Sequence, residues 1–286
     1  MAHEPPDAPP PATPPRRRPR LTRRGRLTLF IGSLLVLVVA AAVLVPLLTR
    51  EPKTQEAART LLIPEGRRAT QVYAAVDQAL GVPAGTTAGA APTSDLPLPA
   101  AAKGNPEGYL YPATYPVTSA TTPKSLLRYM TDTAGRHFGA DHITAGARRN
   151  DVTVYQTVTI ASIVQAEADT AADMGKVARV IHNRLDRGMP LQMDSTLNYA
   201  LNRSTLDTTT GDTELASPYN SYAHKGLPPT PIGNPGEQAM TAAISPTPGP
   251  WLYFVTVAPG DTRFTDDYAE QQRNVAEFNR NRGGAG

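Results

Sequence analysis

Residues 27–48 (LTLFIGSLLVLVVAAAVLVPLL) contain no charged side chain, and this run constrains everything on either side of it. About 20 apolar residues in a helix span a hydrocarbon core of roughly 30 Å. The competing reading is the apolar segment of a cleaved secretory signal, which usually runs to about 7–15 residues before a small-residue cleavage site. The observed run is longer and no such site follows, so a retained transmembrane helix is expected. Seven arginines fall between Arg16 and Arg26, against Arg50 and Lys53 just beyond the run. By the positive-inside bias, the N-terminus stays in the cytoplasm and everything from Arg50 onward lies outside. The expected location is the plasma membrane, single-pass, with the folded part extracytoplasmic.

The same arginines account for the net charge of +3 and the pI near 9.1. Without that cluster the chain is slightly acidic, so no nucleic-acid partner is expected. Residues 1–26 combine a proline-rich tract with the arginines and lack apolar residues to bury, which describes a disordered cytoplasmic tail. Cysteine is absent, excluding disulfides and thiolate metal ligands. His137, His142, His182 and His224 show no regular ligand spacing, and neither an H-E-x-x-H, a nucleotide loop nor a G-x-S-x-G motif occurs. No metal and no cofactor is expected.

Beyond the apolar run, residues 61–80 open as a short strand and turn at Pro64–Gly66. Val72, Ala75, Val76 and Ala79 then recur at helical spacing. Residues 81–105, rich in Ala, Pro, Gly and Thr, read as a linker that packs little. In residues 151–168, Ile160, Ile163, Val164 and Glu167 follow the i, i+3, i+4, i+7 rule, so a helix is expected despite the β-branched content. A second helix covers 174–187 through Val177, Val180, Ile181 and Leu185, with Gly188 at its left-handed cap. Asn234-Pro235-Gly236-Glu237 reads as cap, first-turn proline and acidic third position of a helix that runs to Ile244, where Pro246 stops it. Residues 251–257 (WLYFVTV) read as a buried strand, and 268–280 as a last amphipathic helix.

The helical phase places the Glu167 carboxyl on the same face as Ile160, Ile163 and Val164. Burial there raises a carboxyl pKa and keeps a proton available for donation near neutral pH. Spacing alone favours the alternative of a structural glutamate paired with a buried arginine such as Arg179 or Arg184. Asp194, ahead of Ser195 and Thr196, reads either as a helix N-cap or as a second carboxylate.

Seven blocks occur in order: IPEG (63–66), EGYLYPATY (107–115), ASIVQAEA (161–168), VARVIHNRLDRGMPLQMDSTLNYAL (177–201), SPYNSY (217–222), GLPPTPIGNPG (226–236) and WLYFVTV (251–257). Together they resemble the YceG-like family of membrane-bound endolytic peptidoglycan transglycosylases, over nearly all of 60–278. The resemblance implies an α+β architecture. A small membrane-proximal LysM-like subdomain (60–117) would precede a lysozyme-like, mostly helical catalytic domain with a small sheet (118–286). The tail (1–26), the transmembrane helix (27–48) and a linker (49–59) would come before both.

The family's catalytic glutamate maps onto Glu167, and the earlier acidic position of that block is Gln165 here, which cannot serve as an essential acid. The implied reaction is internal cleavage of MurNAc–GlcNAc bonds in nascent glycan, leaving a 1,6-anhydroMurNAc end. The implied partners are peptidoglycan strands, the membrane, and the glycan-polymerising and elongation machinery. Asn183, Asp194, Tyr219, Asn220 and Tyr222 are the types that bind sugar hydroxyls and stack on sugar faces, and stand as candidate substrate contacts. Two other readings stay open: a hydrolytic muramidase using Glu167 with Asp194, and a scaffold that binds peptidoglycan without cutting it. The short interval between Leu61 and Leu110 implies a reduced LysM-like unit.

Overall fold

The computed structural model describes residues 59–204 and 209–283, together with 35, 38–40, 42 and 45. The expected disordered tail and linker lie outside the described residues, as does most of the expected transmembrane segment. Its six described positions are helical, and Leu35, Val38, Val39 and Val45 are all more than half exposed. No helix among the described residues is long and apolar enough to cross a membrane. The described residues from Arg59 onward form one compact unit.

That unit has two apolar cores. The smaller is built on a two-stranded antiparallel sheet, β1 (Arg59–Ile63) with β2 (Ala113–Val117), in which Leu61 faces Tyr115 and Ile63 faces Ala113. Helix α1 (Ala69–Leu80) lays Val72 and Val76 on this sheet. Gly81 (φ 67°) ends α1 in the left-handed conformation that a residue with a Cβ adopts at a cost. Helix α3 (Pro123–Phe138), which starts at a Thr122 capping box, completes the core with Leu126, Leu127 and Met130.

The 81–105 segment departs from its expected looseness. It contains helix α2 (Thr86–Ala90) and two turns of 3-10 helix, and Thr87, Ser94 and Ala102 are buried. Asp77 organises it, accepting hydrogen bonds from the amides of Gly85 and Thr87 and the Thr87 hydroxyl. A buried carboxylate with three local donors fixes a chain whose composition alone would leave it loose.

The larger core surrounds helix α5 (Val154–Glu167), whose residues from Thr157 to Val164 are all buried. Helices α4 (Asp141–Arg149), α6 (Ala171–Asp186) and α8 (Glu237–Ile244) enclose it, contributing Ile143, Val177, Val180, Ile181, Met240 and Ala243. The expected α6 cap is present, with Gly188 at φ 62°. Strands β3 (Tyr253–Ala258) and β4 (Asp261–Thr265) pair in a second antiparallel sheet against helix α9 (Tyr268–Gly283). The strand expected to be buried is half-buried, because it lies in a two-stranded ribbon at the periphery. The α+β reading therefore holds, with helices dominating the larger core.

Candidate functional site

Glu167 ends α5, where the helix leaves the core, and faces the start of helix α7 (Asp194–Ala200). The Ser195 amide, in the first turn of α7, donates to Glu167 Oε1 at 3.2 Å. The residue is half-buried by area, yet protein atoms ring its carboxyl end. Desolvation disfavours the charged form and holds its pKa above the ordinary carboxyl range, and the negative field of Asp194 adds to the rise. The Ser195 amide and hydroxyl oppose that shift without cancelling it. The hydroxyl is buried close enough to Glu167 to favour its charged form, but it makes no hydrogen bond of good geometry among the described residues.

The competing ion-pair reading of Glu167 fails on geometry. Arg179 donates to the carbonyls of Pro246 and Thr247. Arg184, nearly buried, donates to the carbonyls of Leu252, Pro190 and Leu191 and to the Gln192 side chain. Both arginines brace the loop after α8 and the loop before α7, and neither reaches Glu167. Gln165 has a structural duty as well, accepting from the Gly236 amide at 2.9 Å.

The start of α7 is held by the SPYNSY loop. Ser221 Oγ accepts from the Met193 amide (2.9 Å) and lies 2.8 Å from Thr196 Oγ1, while the Ser221 carbonyl accepts from the Gln192 amide. The Tyr222 hydroxyl donates to Asp194 Oδ1, and burial together with that carboxylate pushes the phenol pKa up. Asp194 is thus the first residue of α7 and a partner of Tyr222. The expected N-cap role falls to Met193, whose side chain makes no capping bond.

Two expected sugar contacts are occupied by the protein's own backbone. Asn183 donates to the carbonyls of Gly249 and Trp251. Asn220 is fully buried; it donates to the carbonyls of Thr213 and Leu215 and accepts from the amides of Tyr222 and Ala223. Neither has a side-chain N–H to spare for a ligand, and the Asn220 side-chain oxygen is committed as well. Tyr219 packs its ring 4.9 Å from that of Tyr199 and places its hydroxyl 2.9 Å from Thr230 Oγ1, which accords with loop packing. Of the candidate contacts, Asp194 and Tyr222 lie beside Glu167.

Asn234 is also reassigned. Helix α8 starts after Gly236, and Asn234 instead ties three segments together: its side chain accepts from the Leu110 amide and donates to the Arg67 carbonyl. This brings the IPEG turn against the end of α5, with the Gly66 amide on the Asn234 carbonyl.

Two residues of the site area went unnoticed in the sequence. Ser195 is one, since a serine after an aspartate reads as capping context. Glu107 is the other: a carboxyl 4% exposed whose pKa burial pushes up to about 7. Its signal was an acidic residue directly before a glycine in an aromatic block.

The sequence model of the YceG-like family matches residues 39–277. The chain belongs to the YceG-like family. A protein of Bacillus subtilis named endolytic murein transglycosylase is 35% identical over 173 residues, 60% of this chain and 48% of that protein. A Streptococcus pneumoniae protein of the same name is 36% identical over 177 residues, covering 60% of this chain and 32% of the relative. The matched part of this YceG-like chain thus spans about half or a third of the length of these curated relatives. A crystal structure of a yceG-like protein from Listeria monocytogenes superposes with a TM-score of 0.66 at 29% identity, covering 76% of each chain.

Proposed function

We propose that this YceG-like chain is an endolytic murein transglycosylase with Glu167 as its acid and base. The carrying observation is a carboxyl that is desolvated, has no basic partner among the described residues, and is fixed by a backbone N–H at the start of α7. Desolvation favours the protonated form of such a group, which can deliver its proton to the glycosidic oxygen between MurNAc and GlcNAc. As that C–O bond breaks, the leaving GlcNAc oxygen keeps the proton. The carboxylate then takes the proton of the MurNAc C6 hydroxyl, whose oxygen bonds to C1 and closes the 1,6-anhydro ring. Water is not consumed and Glu167 ends protonated as it began, so one carboxyl suffices where hydrolysis usually needs two. The names of the two relatives support this reading.

Asp194 and Tyr222 flank the proposed acid. The apolar 27–48 run anchors the enzyme in the plasma membrane with the compact unit outside. The sheet β1–β2 with α1 serves as a reduced LysM-like unit that meets glycan strands, and partners come from the glycan-polymerising and elongation machinery. The decisive experiment incubates the full chain in detergent with purified peptidoglycan and weighs the products. Anhydro-ended fragments, one water lighter than hydrolytic ones, are expected. Hydrated ends would assign a muramidase, and intact glycan a binding scaffold.

A further inference from the structure

A second buried carboxyl stands at the other end of α7 from the proposed acid. Glu107 Oε1 accepts from the Ala69 amide at 3.0 Å, at the first turn of α1, and Oε2 accepts from the Tyr199 hydroxyl at 3.1 Å, near the end of α7. The Arg68 guanidinium lies 5.3 Å from the centre of the Tyr199 ring and donates to the Arg203 carbonyl just past α7. Gly108 fixes the approach. Its φ is 84°, and a Cβ there would come within 2.5 Å of Pro231 Cγ, so the chain can place Glu107 here only with glycine next to it.

We infer that Glu107 is a positioning residue that clamps α7 to the first turn of α1, so that the opposite end of α7 keeps its Ser195 amide on Glu167. Helix α7 is only seven residues long and its start is held by Asp194–Tyr222 and by Ser221, so its far end needs its own anchor. A rigid short helix transmits a shift at Tyr199 to Ser195 within two turns. An ordinary packing contact would do this with apolar groups. A carboxyl buried at this joint, with both oxygens accepting from different elements, fixes direction as well as distance.

The inference rests on Glu167 being the acid, and the test separates the two claims. Glu107→Gln, Tyr199→Phe, the double variant and Glu167→Gln are compared as full chains in detergent. The readouts are kcat and KM for anhydro-product release between pH 4 and 9, alongside thermal melting. Tyr199→Phe keeps the ring contacts with Arg68 and Tyr219 and removes only the hydroxyl, so it is expected to fold.

Losing the Ser195 donor leaves the Glu167 carboxylate less stabilised, so its pKa should rise. The alkaline limb of kcat should then move upward by about one pH unit, the worth of one hydrogen bond to a charged group. KM should stay within about twofold, and the double variant should match the larger single effect because both act through one contact. The groups that titrate or carry charge around this pair are Arg68, Tyr73 and Tyr199 at Glu107, and Asp194 and Tyr222 at Glu167. Burial raises the pKa values of Glu107 and Glu167 into or toward the tested range, and it raises those of Tyr73, Tyr199 and Tyr222 away from it. Variants that melt lower but keep the wild-type pH profile would reduce Glu107 to a structural residue and overturn the inference. Activity retained by Glu167→Gln would overturn both claims, whereas loss in that variant beside unchanged profiles in the other two would overturn the coupling alone.

Discussion

Replacing Glu167 by glutamine keeps the size and most of the hydrogen-bonding outline of the side chain but removes the exchangeable proton. General acid–base help is worth roughly 10²- to 10⁴-fold, and here one group would serve both proton transfers. Asp194 is held by the Tyr222 hydroxyl on Oδ1, so it is not expected to take over the Glu167 position. Turnover in the variant should fall about 10³-fold, equivalent to about 4 kcal/mol of barrier. Stability should move in the opposite sense. In the folded state the Glu167 pKa is raised above its ordinary 4.5, so the native protein binds the proton more tightly than the unfolded chain does. Ionising the group therefore costs folding free energy, from about pH 4.5 upward until the folded-state pKa is passed. Glutamine does not ionise. The variant should melt with the wild type at about pH 4 and above it at neutral pH, with the difference growing between. Melting by circular dichroism across that range, paired with chromatography of the released muropeptides, reads both effects. A variant that keeps a tenth or more of the activity, or melts several degrees below the wild type at pH 7, would refute the assignment.

Ser195→Ala removes a buried hydroxyl that makes no hydrogen bond of good geometry among the described residues, so the protein should melt within about a degree or two of the wild type. A drop in kcat with a shifted pH profile would show that the hydroxyl acts through Glu167, and a drop with an unshifted profile that it meets the substrate. Asn220→Ala deletes a buried amide with four backbone partners and should cost about 2–4 kcal/mol in a denaturant titration, with activity falling because the SPYNSY loop holds α7. Ile163→Ala opens the fully buried centre of α5 and should cost about 2–5 kcal/mol by the same titration, while KM measured on the folded fraction stays near wild type.

The helices around the site were legible because their apolar residues recur every third or fourth position, and α6 adds a glycine where its cap requires positive φ. Glu167 was found for a partly different reason than its phase suggested. Helix α5 is buried on all sides from Thr157 to Val164, so facing the core distinguishes no residue there; what sets Glu167 apart is its place at the helix end, opposite the amides of α7. Asn234 was read as a cap, and Asp194 as either a cap or a second carboxylate, since the side chains that cap helices are also those that bridge distant segments, and spacing does not separate the two uses. Asn183 and Asn220 fit a sugar-binding type but spend their amides on nearby carbonyls, a commitment visible only once the loops are folded. Glu107 was hidden because its partners, Ala69 and Tyr199, lie 38 and 92 residues away.

The small sheet and α1 take three side chains, Leu126, Leu127 and Met130, from the helix that follows them. A chimera joined at residue 117 would strip that layer from the transplanted piece and bare an oily face on both halves. Exchange of this portion between relatives should therefore be spliced after α3, past residue 138, where the graft carries its own lid.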